Sequence, residues 1–452
     1  MGLLAKRRGT AQNTAFLMRQ VGIGIAGFGT IGVGVYKHLA GNRRLLSERL
    51  GLELTVKKIA DLDIDTPRTP MPPRSLFTTN WQDLIDDPEV QIVVELMGGI
   101  KVPYQFVMAA LKKGKMVVTA NKALLAEKGK ELFAVAAEKR VPIFFEAAAA
   151  GGVPIIKALK EAFVANHIRS MHGIINGTSN YILTRMSQAG LGFEEALKEA
   201  QAAGYAEADP TLDINGWDAA HKAIILASLA YGFWVDTKDI HVEGIQGITA
   251  VDIEFAQKLG YKIKLLAVIK SDEKCKENCP IEVRVHPTLV PESHVLASVN
   301  GVFNAIAVHG DVVGETLFYG RGAGQDATAS AVISDLAEAA VALETPRPNF
   351  GFVPHGLYGG CTPIQDVVTP YYLRLSVVDR PGVLALITGI LSEEQIGISS
   401  VIQPEAHEQE TVPLVLMLHA APQGRMNRAA EKIAALDCVK RPPQVLRVET
   451  FA

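Results

Sequence analysis

Cysteine is scarce in this chain: Cys275, Cys279, Cys361 and Cys438 are the only four in 452 residues. So sparse a set argues against a disulfide-stapled secreted fold and suits a reducing compartment, so the expected location is cytoplasmic. Cys275 and Cys279 share the polar loop "CKENC". No second pair stands beside them to complete a tetrahedral zinc site. Long apolar runs are lacking too. No stretch approaches the roughly 20 residues that cross a bilayer as a helix, so no membrane partner is expected. Nor is there an excess of charge of one sign: 45 Lys and Arg face 48 Asp and Glu, for a formal net charge of -3. That balance argues against an electrostatic nucleic-acid binder. The opening "MGLLAKRRGTAQNTAFLMRQ" carries basic residues without an adequate apolar core, which argues against a secretory signal. Residues 1–20 read as a disordered extension. Met18 is a candidate translation start, which the mass of the native N-terminus would settle.

Apolar material, at 48% of residues, is plentiful enough for several cores. At roughly 100–200 residues per domain, two to four domains are expected. In "VGIGIAGFGTIGVGVYKHL" an alternating strand, Val21 to Ala26, runs into Gly27-Phe28-Gly29-Thr30-Ile31-Gly32 and then a helical pattern. GxGxxG between a strand and a helix is a dinucleotide fingerprint. Gly27 permits the tight turn, Gly29 lets a pyrophosphate approach the backbone, and Gly32 lets the helix pack close to the strand. The helix N-terminus then faces the phosphates. The plain alternative is a glycine-rich turn without a ligand. The next strand, "LTVKKIADL", ends at Asp61, where this architecture places the residue that meets the adenosine ribose. An acid there favours the free 2′-hydroxyl of NAD. Lys57, Lys58 and Arg68 are close enough in sequence to serve the 2′-phosphate of NADP, so both cofactors stay open. Three more strands, "QIVVELMGG", "KMVVTANK" and "VPIFFEAAAAGGVP", alternate with helical segments, which implies a parallel sheet. They deliver Glu95, then Asn121 and Lys122, then Glu146 to the carboxyl edge, where open parallel sheets bind ligands. Residues 21–150 are therefore read as a Rossmann-like domain.

Residues 151–321 have a different texture, that of an inserted α+β domain. A helix is expected over "VPIIKALKEAFVAN", then a β-rich run, a tight Asn176-Gly177 turn and a helix capped by Thr178 or Ser179. "KIKLLAVIKSD", "IEVRVHPTLV" and "TLFYGRGAG" alternate like strands. A helix at about 322–345 is expected to return to the first domain. Prolines 346, 348, 354 and 363 mark a linker over 346–369. Residues 370–452 follow the order βαββαβ, the ferredoxin-like split unit. The middle domain also holds "EADPTLDINGWDAAHK", in which Glu207, Asp209, Asp213 and Asp218 precede Lys222. A solvated acidic loop that opposes a helix dipole would explain it without any chemistry.

The runs "GFGTIG", "TANKALLA", "FFEAAAAGGVPII", "GIINGTSNYIL", "GYAEADPTLDINGWDAAHKAIILA" and "RGAGQDATA" together resemble bacterial homoserine dehydrogenases of the single-function type with a C-terminal ACT domain. The resemblance covers nearly the whole chain after residue 20. It implies an α/β enzyme with a Rossmann-like sheet, a substrate and dimerisation domain and an ACT regulatory domain. The implied reaction is the reversible, NAD(P)-dependent interconversion of L-aspartate 4-semialdehyde and L-homoserine, on the route to threonine, methionine and isoleucine. Carried over, Lys222 is the catalytic lysine and Asp218 its neighbouring acid. Glu207 and Asp213 contact substrate, and Lys122 stands at the cofactor–substrate junction. Gly27, Phe28, Gly29, Thr30, Ile31, Gly32, Asp61 and Gly322 would meet the dinucleotide. Glu146 and the carbonyls of Ala149, Gly151 and Val153 would hold a sodium or other monovalent cation, although "AAAAGG" is equally a close-packed turn that needs small residues. Threonine is the implied effector, with Asp379, Gly382 and Gln403 as contacts, and the assembly a homodimer or a homotetramer.

The resemblance also gives the acidic segment a purpose. Aldehyde reduction needs a proton for the nascent alkoxide, and alcohol oxidation needs that proton removed. Asp218 and Lys222 share one helix face at a spacing of four. A free lysine titrates at about 10.4, so burial and neighbours decide how readily Lys222 exchanges a proton. The rival reading, from another class, is an amino-acid-sensing regulator whose nucleotide-binding body does no catalysis. Turnover would exclude it.

Overall fold

The alternation that begins at Val21 forms the centre of a parallel sheet in the computed structural model, which describes residues 18–272, 278–344, 351–404 and 411–451. The strands are β1 (Arg19–Ala26), β2 (Leu52–Ala60), β3 (Phe77–Thr78), β4 (Ile92–Glu95), β5 (Met116–Thr119) and β6 (Ile143–Phe144), in the order β3-β2-β1-β4-β5-β6. All neighbours are parallel. β4 and β5 are buried along their whole length, which is why "IVVE" and "MVVT" are unbroken apolar runs capped by one polar residue. The strand order reverses between β1 and β4, and that switch point opens a crevice at the carboxyl edge. Helix α1 (Thr30–Gly41) leaves β1 there, and α2 (Lys122–Lys139) leaves β5.

The second sheet begins with β7 (Ile168–Ile174). The helix expected over 153–166 is shorter than its apolar pattern: helical backbone runs from Ile155 to Lys157 and ends in a π-turn over Ala158–Ala162. Phe163 turns into the core, and the Asn166 side chain instead accepts the N–H groups of Val312 (3.2 Å) and Val313 (3.0 Å). Helix α3 (Gly177–Ala189) follows β7. Its cap is neither Thr178 nor Ser179: the Asn176 carboxamide oxygen accepts the Ser179 N–H at 2.7 Å. Asn is as good a cap as Ser, and here it stands one residue ahead of the helix.

Helix α4 (Trp217–Tyr231) lies on the sheet formed by β8 (His241–Val242), β9 (Tyr261–Ser271), β10 (Cys279–Pro291), β11 (Phe303–Gly310) and β12 (Gly314–Arg321). Helix α5 (Gln325–Ala342) then returns to the first domain and packs on α1. A β-carbon at Gly34 of α1 would lie 2.7 Å from Gln325 Cγ and 3.3 Å from Ala329 Cβ, so only glycine admits so close a crossing. Part of the segment read as a linker is β13 (Tyr358–Cys361), parallel to β10. Phe352 also packs on Phe133 and Trp234, so this stretch is anchored to both earlier domains.

The C-terminal unit comprises β14 (Val368–Val378), helix α6 (Val383–Glu393), β15 (Ile398–Ile402), β16 (Thr411–Pro422), helix α7 (Gln423–Ala434) and β17 (Val439–Val448). Its strand order β17-β14-β16-β15, all antiparallel, is ferredoxin-like. The sequence pattern did not foreshadow its attachment. β17 also runs parallel to β10, with Thr288 opposite Arg447 and Leu289 opposite Val448, so both sheets merge into one of eleven described strands. Cys275, half of the zinc reading, lies outside the described residues, as do residues 1–17 of the extension. Among the described residues no group of three or more His, Cys, Asp or Glu could hold a metal ion, and no helix is long and apolar enough to cross a membrane.

Candidate active site

At the switch point Gly27 adopts φ +97, and a β-carbon there would lie 2.5 Å from the Leu96 carbonyl oxygen. Gly29 caps α1 without a side chain, and a β-carbon on it would meet nothing within 4 Å. The first-turn N–H groups of α1 thus face open space, a cradle that fits a pyrophosphate. Gly32 packs against the Gly27 carbonyl. Thr30 is exposed, and its carbonyl accepts Gln325 Nε2 at 2.9 Å. Phe28 is fully buried, edge-on to Phe77 and Tyr36, so its ring supports the turn rather than touching a ligand. Its N–H donates to the Asp61 carboxylate.

Asp61 therefore stands beside the glycine turn at the end of β2, where its other oxygen accepts the Asp63 N–H at 2.8 Å. Arg68 Nη2 lies 3.9 Å from Asp61 Oδ1 and 3.3 Å from Asp63 Oδ2, with its guanidinium over the Phe28 ring. Lys57 and Lys58 are engaged elsewhere, by Glu89 at 3.6 Å and Asp87 at 3.2 Å. Of the three cations that the sequence offered for a 2′-phosphate, Arg68 alone is held beside Asp61.

Next to this crevice lies a cleft of about 400 Å³. One wall is Ile31, Leu96, Gly98 and Gly99; the other is the acidic segment. Glu95 organises the first wall. Its carboxylate accepts the Met97 N–H at 2.9 Å and the Thr119 hydroxyl at 2.7 Å, and burial raises its pKa. Asn121 caps α2 through the Leu124 N–H (3.0 Å), and its Nδ2 donates to the Gly99 carbonyl at 2.7 Å.

The second wall is a network of four predicted residues, Lys122, Asp213, Asp218 and Lys222, to which Asn176 adds a fifth member. Lys222 Nζ donates to Asp218 Oδ2 at 2.7 Å and to the Ile175 carbonyl at 2.7 Å. Lys122 Nζ lies 3.1 Å from Asp218 Oδ1. Asn176 Nδ2 donates to Asp218 Oδ2 at 2.8 Å and to Asp213 Oδ1 at 2.6 Å. One carboxylate thus bridges two ammonium groups, while a single amide ties it to a second carboxylate. The two lysines differ. Lys222 is 10% exposed and sits behind Asp218, whereas Lys122 is 39% exposed and lines the cleft. Glu207 is exposed at the cleft mouth.

Electrostatics separates these groups further. Burial would raise the Asp218 carboxyl, but Lys222 and Lys122 outweigh it and hold it well below the usual range. Asp218 holds the Lys122 ammonium above its usual range. Burial pulls Lys222 down despite Asp218. Burial, and then Asp218, push the Asp213 carboxyl up. The cleft therefore presents a fixed cation, a fixed anion and an acid that would welcome a positive neighbour, with a lysine eased toward deprotonation directly behind the anion. His221, also lining the cleft, is lowered by burial.

The Glu146 carboxylate is buried and accepts the N–H groups of Ile156 (3.0 Å) and Lys157 (2.8 Å). Burial raises it, and among the described residues it has no ion pair of its own. Ala149, Gly151 and Val153 follow in the same turn, and Val153 also offers its carbonyl to the Ile155 N–H at 2.8 Å. Gly322 crosses this turn: a β-carbon on Gly151 would lie 2.6 Å from the Gly322 carbonyl oxygen. Buried Asn304 packs on Gly322 with both amide atoms lacking a partner among the described residues. The effector candidates lie in the ferredoxin-like unit, where Gln403 Nε2 donates to Asp379 Oδ1 at 3.0 Å and Gly382, at φ +94, precedes α6.

Sequence reasoning missed Asn176 and His221 as site residues. Both lie inside quoted runs: Asn176 reads as a turn residue, and His221, four residues after Trp217 and in ring contact with it at 6.0 Å, reads as helix packing.

Comparison with known proteins places this geometry. Residues 27–146 match the family model "Homoserine dehydrogenase, NAD binding domain", and residues 154–337 match the model "Homoserine dehydrogenase". The homoserine dehydrogenase of Neisseria gonorrhoeae is 43% identical, over 96% of this chain and 100% of that protein. The crystal structure of a homoserine dehydrogenase from Thiobacillus denitrificans superposes with a TM-score of 0.89 at 44% identity, covering 96% of this chain and 99% of that one. A hyperthermophilic archaeal homoserine dehydrogenase in complex with NADPH superposes with a TM-score of 0.61 at 28% identity, covering 73% of this chain and 100% of that one. With the dinucleotide crevice and the lysine–carboxylate cleft joined as described, this chain belongs to the homoserine dehydrogenase family.

Proposed function

We propose that this NAD(P)-dependent oxidoreductase, acting on a CH–OH group, interconverts L-homoserine and L-aspartate 4-semialdehyde in the cytoplasm. The carrying observation is Asp218 bridging Lys122 and Lys222 at the foot of a cleft that continues into the dinucleotide crevice. When bound, the dinucleotide supplies the hydride chemistry; the chain supplies position and protons. Lys222, oriented by Asp218 and the Ile175 carbonyl, exchanges the proton of the substrate oxygen. Lys122 stays cationic and polarises that oxygen. Glu207 and Asp213 hold the α-ammonium of the substrate. The Asp213 carboxyl, raised by burial and by Asp218, suits this role, because an arriving cation stabilises its charged form. The test is turnover of L-homoserine, followed by the absorbance of reduced nicotinamide, with NADP and NAD run separately. No turnover from folded protein would return the non-catalytic sensor reading.

Asp61 offers the ribose contact of NAD and Arg68 a partner for the 2′-phosphate of NADP, and the archaeal relative is complexed with NADPH. Arg68→Ala is expected to raise the KM for NADP by about tenfold, the worth of one charge-assisted contact, and to leave that for NAD nearly unchanged. Equal effects on the two cofactors would remove Arg68 from this role.

Glu146 and the carbonyls of Ala149, Gly151 and Val153 fit a hard monovalent cation, because a buried carboxylate without an ion pair among the described residues calls for one. Replacing sodium by choline in the assay is expected to lower activity several-fold by removing this support. An unchanged rate would leave the turn as packing alone. The ferredoxin-like unit is assigned as an ACT domain that binds threonine near Asp379, Gly382 and Gln403, in a homodimer or homotetramer. Threonine added to the assay without effect at any substrate level would remove the regulatory role.

A further inference from the structure

A buried group of charged side chains outside the cleft lies where β17 meets the middle domain. Arg447 on β17 is 3% exposed and forms a two-pronged contact with Glu243: Nη1 to Oε2 at 3.0 Å and Nη2 to Oε1 at 3.0 Å. Its Nε donates to Gln423 Oε1 at 2.9 Å, at the start of α7. His241 Nε2 lies 3.2 Å from Arg447 Nη2 and 2.7 Å from Glu243 Oε1. In the sheet, Arg447 stands between Tyr371 of β14 and Thr288 of β10. It therefore belongs to the ferredoxin-like unit and to the middle domain at once.

Glu243 extends the connection. Its N–H donates to the Val285 carbonyl at 2.8 Å, and the next residues lie along the turn that launches α4. The Ile245 N–H donates to the Ile214 carbonyl at 2.8 Å. A β-carbon on Gly244 would be 2.6 Å from Asn215 Cα, and one on Gly216 would be 3.0 Å from the Glu243 carbonyl oxygen. There is no slack in this strip. The turn it grips, Ile214 to Gly216, has Asp213 on one side and Asp218 on the other. Both carboxylates depend on the same Asn176 amide nitrogen, at 2.6 and 2.8 Å. A small displacement of the turn therefore breaks one of two bonds that share a donor.

We propose that Arg447 and Glu243 are positioning residues that couple the ferredoxin-like unit to the acidic segment, by fixing the turn ahead of α4 on which Asp213 and Asp218 are mounted. Neither touches the cleft; they act through the backbone from Glu243 to Ile245. The first wall of the cleft and the glycine turn at Gly27 do not lie on this connection, so the amino-acid substrate feels the coupling and the dinucleotide does not. The claim rests on the assignment of the acidic wall to the amino-acid substrate.

The experiment compares Arg447→Gln, Arg447→Lys, Glu243→Gln and the double variant Glu243→Gln/Arg447→Gln in the full-length enzyme. Expected is a fall of about tenfold or more in kcat/KM for homoserine in each glutamine variant, carried mainly by KM, with the KM for dinucleotide unchanged. The double variant should be no worse than the poorer single one, and Arg447→Lys should recover part of the loss. A folded Arg447→Gln protein with a lower Tm but wild-type kcat/KM would overturn the proposal, since the pair would then only join domains. So would equal losses for homoserine and dinucleotide. If Arg447→Gln does not fold, the half-exposed Glu243→Gln decides by the same criteria. If the wild type does not turn over homoserine, the proposed reaction fails instead. The titration of Lys222, followed by NMR of carbon-13-labelled lysine, then decides the coupling without a substrate. A midpoint moved by Glu243→Gln supports it, and an unmoved midpoint refutes it.

Discussion

Replacing Lys222 with methionine is expected to lower kcat for homoserine oxidation by about 10²–10⁴-fold, the worth of a positioned proton-transfer group. Methionine keeps much of the volume of the lysine stem and its apolar contacts, so the buried site should stay filled. The KM for dinucleotide should hardly change, because Lys222 lies behind Asp218 and away from the glycine turn. The pH profile carries the sharper signature. Burial lowers the Lys222 ammonium, so its neutral form appears below the range of a free lysine. Oxidation needs that neutral form to accept a proton and should rise with pH through the lowered midpoint. Reduction needs the ammonium and should fall over the same span. Both limbs should flatten in Lys222→Met, and steady-state rates in both directions across pH measure them. Near-normal turnover in this variant would refute the role.

Asp218→Asn should have a comparable effect on rate and a larger one on stability. The carboxylate is the shared partner of two ammonium groups and accepts an amide besides. Removing one member of a buried ion pair typically costs about 3–5 kcal/mol. Part of that cost disappears if Lys222 gives up its proton. The variant should therefore show a lower Tm at neutral pH and an oxidation limb displaced to lower pH, since the charge that favoured the ammonium is gone. The acid side has a definite sign. The Asp218 carboxyl is depressed in the folded state, so its contribution is complete above its unfolded value of about 3.9 and is lost as pH falls through the folded value. The stability difference between wild type and variant should narrow in acid. Thermal melts over a pH series would show it, and a constant difference would mean that the carboxylate charge is not what stabilises the site.

The readable parts of the chain were those whose period or local chemistry is self-contained. The apolar alternation and glycine spacing at Val21 to Gly32 were enough to place a strand, a tight turn and a helix. The spacing of Asp218 and Lys222 put both on one helix face, where they bond at 2.7 Å. Asn176 shows the limit of local reading. Its cap on α3 follows from residue type, but its grip on Asp213 and Asp218 needs the chain to return after 37 and 42 residues, respectively. The helix expected to reach Asn166 stops early because Asn166 is claimed by backbone N–H groups 146 and 147 residues away. Least legible was the seam at β17: Arg447 and Glu243 lie 204 residues apart, and neither hydrophobic period nor turn chemistry announces such a pair.

β10 is paired on one side along its length by β9. Its other edge is closed piecemeal, by β13 near Cys279, by β8 at Arg284 and Val285, and by β17 at Thr288 and Leu289. An open strand edge invites pairing with other chains, and during synthesis this edge, met by β8 from the start, waits for two partners, β13 and β17, that emerge later and at different times. β17 is made last. A chain cut short before residue 439 would therefore expose a strip of β10 and leave buried Arg284 with Glu282 (3.2 Å) but without Glu449, its second ion-pair partner at 3.3 Å. β17 thus acts as a completion check on the nascent protein: until it arrives, the middle domain has an adhesive border, and aggregation competes with folding.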